Sequence, residues 1–236
     1  LLRNTVKVVR SIPMTVQDVT FSGLCSALAA LTPEQKKSGA VVIDLGAGTT
    51  DYIAYAGNVV AAAGALGVGG DHVTNDIAVA FSIPLTQAEN LKHESASATV
   101  GSVGTTKRVS LPAEVGFPGR TVNLHDLRTV VHARMDETLR MIQKRLEEAG
   151  ILHQVGAGIL LTGGGAHLRG TPELVQKIFG LPCAVAKPRN VSGLATATDG
   201  PEYAACAGLV QYGFKTIMDE RRTFPLGNWF KGLFGR

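Results

Sequence analysis

The residues whose types and spacing could do chemistry are Asp44-Leu45-Gly46-Ala47-Gly48-Thr49-Thr50-Asp51, set between the apolar runs Val41-Val42-Ile43 and Tyr52-Ile53-Ala54-Tyr55. The pattern predicts a strand, a tight turn and a returning strand. Gly46 and Gly48 would give the backbone access to positive φ and bring its N–H groups against an anion with no side chain between. Thr49 and Thr50 would add hydroxyl donors. Asp44 and Asp51 flank the turn, where carboxylates suit a hydrated metal ion that accompanies a phosphate. This is the chemistry of a phosphate-binding hairpin, although an ordinary β-hairpin turn holding two glycines has the same spacing.

Two further glycine turns follow expected strands. Gly67-Val68-Gly69-Gly70-Asp71 follows the strand at 59–66 and opens a helix with Val73, Ile77, Ala80 and Phe81 at helical spacing. Its free N–H groups make a second candidate anion site. Gly163-Gly164-Gly165-Ala166 follows the buried strand at 158–162 and leads to a helix ending at Phe179. Glycines at the carboxyl end of a strand leave room for a flat ring or a phosphate. One ligand held between layers explains three such turns better than three coincidences do.

Other elements must position these turns. Alternating Val6 and Val8, then Pro13-Met14, predict a strand and a turn over residues 3–20. Small side chains from Phe21 to Leu31 predict a closely packed helix. Thr86-Gln87-Ala88-Glu89 has the pattern of a capping box opening a helix that carries Leu91 and Lys92. Residues 95–119 predict an exposed loop with a short strand near 109–111. A strand at 121–124 then feeds a long helix to Ala149, with Leu127, Val131, Met135, Leu139, Ile142 and Leu146 on one face and Arg128, Arg134, Arg140, Lys144 and Arg145 on another. A strand at 183–186 precedes a final small-residue helix from Pro201 to Tyr212, and the globular part is expected to end near Lys215.

Composition narrows the function class. With 45% hydrophobic and 18% charged residues, the chain can build a core and is not a disordered protein. No apolar run approaches the roughly 20 residues that span a bilayer. Three cysteines without a C-x-x-C pair, and six histidines without metal-ligand spacing, argue against a disulfide framework and a zinc site. Basic residues are interspersed with acids except at the C-terminus, so nucleic acid is not an expected partner. The opening Leu1-Leu2-Arg3-Asn4 reads as a fragment lacking an N-terminal part.

That C-terminus is distinctive. Trp229, Phe230, Leu233 and Phe234 fall on one face of a helix with Lys231 and Arg236 beside them, and from Arg221 onward there are four basic residues and no acid. Aromatics on one side and basic groups nearby suit the headgroup boundary of an anionic membrane. The alternative is a tail that folds back to bury its rings.

The order of small-residue helix, D-L-G-x-G-T-T-D hairpin, G-G-D turn, A-E-x-x-K helix, L-L-T-G-G-G-A strand and turn, and final E-Y-A-A-C-A-G-L helix resembles the actin-like ATPase superfamily. Gly69-Gly70-Asp71-His72-Val73-Thr74-Asn75-Asp76-Ile77-Ala78 resembles its FtsA family of bacterial cell-division proteins in particular. The resemblance implies an α/β chain of the actin-like, ribonuclease H-like fold, comprising the second domain with an inserted smaller subdomain. Residues 1–38 would be the end of a first domain, 39–73 and 151–215 the core of the second, 74–150 the inserted subdomain, and 216–236 a linker and membrane-targeting helix. It implies ATP and Mg as cofactors: Gly46, Gly48, Thr49 and Thr50 at the phosphates, Glu89 and Lys92 at the ribose and purine, Gly163, Gly164, Gly165 and Ala166 in the adenosine motif, and Asp44 near magnesium through water. Ala27–Ala30 and Ala204–Gly208 match the two connecting helices.

Three departures from the family pattern stand out. Ala47 replaces a usual glycine, no first phosphate loop is present, and Ser22 and Gly23 stand where active hydrolases carry Glu or Gln. At most a weak ATPase is therefore expected. The implied function is a polymerising membrane tether at the cytoplasmic face of the bacterial inner membrane, at the septum. Its partners would be further copies, other division proteins and the acidic FtsZ tail, with Arg128 and Arg134 as candidate contacts. A pilus-assembly actin-like protein or a sugar or acetate kinase are the alternatives of the same superfamily.

Overall fold

The structure is a computed structural model that describes residues 2–101, 107–114, 116–190 and 199–223. In chain order the elements are α1 (Leu2–Arg10), α2 (Ser22–Ala30), α3 (Pro33–Ser38), β1 (Ala40–Leu45), β2 (Thr50–Ala56), β3 (Val59–Leu66), α4 (Gly70–Phe81), α5 (Leu85–Ser95), β4 (Arg108–Leu111), β5 (Arg120–Asn123), α6 (Leu124–Glu148), β6 (Ile159–Thr162), α7 (Thr171–Phe179), β7 (Cys183–Val185) and α8 (Ala204–Thr223). The main sheet runs β3-β2-β1-β6-β7, with β1, β2 and β3 antiparallel and β1, β6 and β7 parallel. β4 and β5 form a separate antiparallel pair.

β1 is buried on both faces, and its period of two divides the core. Val41, Ile43 and Leu45 join Ile77, Leu91, Leu127, Leu139 and Leu174 in one cluster under α4–α7. Ala40 and Val42 join Ala27, Ala30, Ile53, Tyr55 and Leu160 under α2. The helices between β3 and β6 thus share one continuous core with the sheet. Gly150, at φ +66°, ends α6 as expected.

Four expectations are corrected. The strand at the start of the chain is the helix α1, because Leu2, Val6 and Val9 also recur at i, i+4 and i+7, and a helix closes its own hydrogen bonds where a strand needs a partner ladder. α5 has no capping box: Pro84 holds the cap position, and Glu89 turns to the Lys92 ammonium instead. The segment at 95–101 is not simply exposed, since Ala96, Ser97 and Ala98 are buried and the Ala98 N–H donates to the Arg169 carbonyl at 2.7 Å. Finally, α8 continues past Lys215 to Thr223, so the body reaches further toward the tail than expected.

Candidate functional site

β1 and β2 pair in the register Asp44↔Asp51 and Leu45↔Thr50, and the turn closes with the Gly46 N–H donating to the Thr49 carbonyl at 2.9 Å. Alternation then separates two chemistries. Leu45 and Thr50 face a cavity of about 230 Å³ on the α4–α7 side. Asp44 and Asp51 face a second recess of about 320 Å³ on the α2 side, together with Ser22, Thr49 and Glu202. The turn is the wall between the two, and Gly46, Ala47 and Gly164 line both.

On the α2 side, the small residues of that helix let it approach closely enough for the Ser26 hydroxyl to donate to Asp44 and the Ser22 hydroxyl to Asp51. Burial pushes the Asp44 carboxyl above its ordinary value; the Ser26 bond opposes this, and the like charge of Asp51 adds to it. Neither carboxylate has an ion-pair partner among the described residues. Two facing carboxylates without counter-charge suit a cation. No group of three or more His, Cys, Asp or Glu among the described residues could hold a metal ion alone, so a cation here would keep waters or ligand oxygens, as magnesium does.

The glycines divide by role. Neither Gly46 nor Gly48 takes a positive φ, which corrects the expected reason for them. A Cβ on Gly46 would sit 2.8 Å from the Thr49 carbonyl oxygen, whereas one on Gly48 would meet nothing within 4 Å, so Gly48 leaves its N–H open to approach. Ala47 fits because no positive φ is required there. Gly163 is needed for packing: at φ +80° its Cβ would lie 2.4 Å from Asp44 Oδ1. A Cβ on Gly165 would lie 2.7 Å from that of Leu45. Gly164, between them, faces open space within 4 Å. Ala166 is buried beneath the turn and lines neither space.

Thr49 is exposed and free to donate, but Thr50 is buried and its hydroxyl donates to the Val68 carbonyl at 2.8 Å. The Gly69-Gly70-Asp71 turn is not an open anion site. The Gly70 and Asp71 N–H groups donate to the carbonyls of Gly46 and Ala47, each at 2.9 Å, so α4 braces the hairpin. Glu89 and Lys92 do line the cavity, paired at 2.7 Å. Sequence reasoning missed Met135 and Thr138, which floor the cavity from α6, and His167 and Arg169 at its rim. The helical period marks Met135 as buried without saying against what.

Arg134 is not available to an acidic partner as expected. Its Nε and Nη2 donate to the two Asp76 oxygens at 2.5 and 3.0 Å, and Nη1 donates to Glu137 at 2.6 Å. Arg128 differs, since its Nε is buried with no hydrogen-bond partner. Trp229, Phe230, Lys231, Leu233, Phe234 and Arg236 lie outside the described residues. Among the described residues no helix is long and apolar enough to cross a membrane.

Over residues 41–208 the chain matches the family described as "Cell division protein FtsA". It is 31% identical over 246 residues to the FtsA protein of Escherichia coli strain K12, covering 99% of the chain and 59% of that protein. The figure for FtsA of Pseudomonas aeruginosa is 33% over 217 residues, covering 92% and 52%. The chain therefore spans less than two thirds of these relatives. Among solved structures it superposes on MreB5 of Spiroplasma citri bound to ADP with a TM-score of 0.70 at 21% identity, covering 94% of the chain and 67% of that one. On the PilM-PilN type IV pilus biogenesis complex the TM-score is 0.66 at 20% identity, covering 90% and 57%. These likenesses give the fold, which is that of the actin-like ATPases.

Proposed function

The chain belongs to the FtsA family of cell-division proteins, and from that premise we propose that it is an ATP-binding, self-assembling tether that holds FtsZ filaments at the cytoplasmic face of the cell membrane, at the septum. The observation that carries ATP is the hairpin turn standing as a wall between an apolar-floored cavity and a recess holding two uncompensated carboxylates. Base and ribose would occupy the cavity over Met135 and Gly164, the phosphates would lie against the Ala47 and Gly48 N–H groups and the Thr49 hydroxyl, and a hydrated magnesium ion would sit toward Asp44. Such an ion supplies charge neutralisation at the phosphates. Ser22, at the head of α2, gives its hydroxyl to Asp51 and offers no base to orient water, which favours nucleotide sensing over rapid hydrolysis. The MreB5 relatives solved with ADP and with AMPPNP support a nucleotide in this fold.

Gly164→Val tests the site. Its Cβ meets nothing within 4 Å, so the fold should persist while the added methyls fill the cavity wall. Calorimetric titration with Mg-ATP is expected to show affinity at least about tenfold weaker, the equivalent of about 1.4 kcal/mol. Unchanged binding would place the nucleotide elsewhere.

Membrane attachment is assigned to residues 224–236, from their aromatic and basic pattern. Liposome co-sedimentation with anionic vesicles should pellet the full chain and leave a chain truncated after Thr223 in solution; equal pelleting refutes the assignment. For the acidic FtsZ tail, Arg128 is the better of the two arginines, because Asp76 and Glu137 already hold the Arg134 guanidinium.

A further inference from the structure

Thr162, the last residue of β6, lies in register with Asp44, and we infer that it is a positioning residue for the cation: through one buried water its hydroxyl holds the free oxygen of Asp44 and so aims that carboxylate into the recess. This inference rests on the magnesium reading above. Alternation puts the two side chains on one face. Val42 and Leu160, a register pair two residues earlier in each strand, share the cluster under α2, so Asp44 and Thr162 stand side by side on that same side of the sheet. Thr162 is fully buried, and its Oγ1 has no hydrogen-bond partner. A lone buried hydroxyl costs stability, and valine would fill the same shape without that cost. Threonine at this position therefore calls for a polar ligand.

Asp44 supplies the complementary need. Its Oδ2 accepts from Ser26, and no other described side chain donates to the carboxylate. Oδ1 leans toward the end of β6, since a Cβ on Gly163, the residue after Thr162, would lie 2.4 Å from it. The hydroxyl has a proton to give and the carboxylate oxygen has lone pairs to fill, yet the two do not bond directly. One water that accepts from Thr162 and donates to Asp44 completes both. The spot is closed from above, because the Gly163 N–H donates to the Pro201 carbonyl at 3.0 Å and ties the approach to α8 over the end of β6. Hydrogen bonds of this kind, made behind a carboxylate, fix the direction in which it meets a metal ion or the ion's waters. Ser26 and Thr162 would then hold one carboxylate oxygen each, from opposite sides of the recess floor.

Thermal unfolding of the nucleotide-free chain in EDTA tests the support directly. If the hydroxyl stood alone, Thr162→Val would melt higher than wild type; because it holds Asp44 through a water, the variant should melt about 2–4 °C lower, as for the loss of one buried hydrogen bond. Calorimetric titration with ADP, in magnesium chloride and in EDTA, supplies the second readout. Thr162→Val should weaken binding about tenfold in magnesium and less than about twofold in EDTA, a split that a purely structural role would not produce. Thr162→Ser keeps the hydroxyl and should stay within about twofold of wild type in both. A valine variant that melts at or above wild type, one that keeps the full gain from magnesium, or a serine variant that behaves like valine overturns the inference. A wild-type chain that binds ADP equally in magnesium and in EDTA overturns the magnesium reading instead, and the melting comparison still decides whether Thr162 supports Asp44.

Discussion

Gly208→Ala is expected to lower the melting temperature by about 6–12 °C, the equivalent of about 3 kcal/mol in a chain of this size. The cause is a backbone contact. A Cβ at Gly208 would lie 1.7 Å from the Cys25 carbonyl oxygen and 2.3 Å from its carbon, so α8 would have to move off α2. Nothing flexible is available to yield, because the obstructing atoms are main chain and the neighbouring Ala27, Ala29 and Ala30 are fully buried. Gly213→Ala on the same helix is the control. Its Cβ meets nothing within 4 Å, and alanine restricts the unfolded chain, so a slight rise in stability is expected. Thermal unfolding followed by circular dichroism reads both. Equal melting temperatures for the two variants would mean that the α2–α8 crossing can relax freely.

This crossing was legible in the sequence because small residues at close spacing have one common physical use, the near approach of two backbones. The hairpin was legible for a similar reason, since an apolar run, a glycine turn and a second apolar run admit few folds. What each residue does within those elements was not. Thr50 looks like a phosphate donor in a list of types, but the strand register buries it and turns its hydroxyl to Val68. Gly70 and Asp71 look like a free helix N-terminus until β1 delivers the Gly46 and Ala47 carbonyls to them across more than 20 residues of chain. Arg134 looks solvated from the helical period, yet Asp76, on α4, captures it. In each case a tertiary partner distant in sequence settled the hydrogen bond. At α1 the error had another origin, because a short valine pattern satisfies both periods and only hydrogen-bond closure separates them.

Asp44→Asn is expected to stabilise the nucleotide-free chain while abolishing its response to Mg-ATP. Burial and the facing Asp51 raise the Asp44 carboxyl above its ordinary 3.8, so the folded state holds that proton more tightly than the unfolded state. For a group raised in this way, stability falls as pH climbs from the ordinary value through the raised one, so the penalty belongs to the charged form. Asparagine removes the charge and can still accept the Ser26 hydroxyl. The variant should therefore melt higher at pH 7, and the gap should close below about pH 4, where Asp44 of the wild type is itself protonated. Addition of Mg-ATP should raise the melting temperature of the wild type by preferential binding to the folded state and leave the variant nearly unmoved. A variant that melts lower than wild type at pH 7 would show that Asp44 is held by partners stronger than Ser26. The two responses together would identify Asp44 as a residue kept at the expense of stability for the cation it faces.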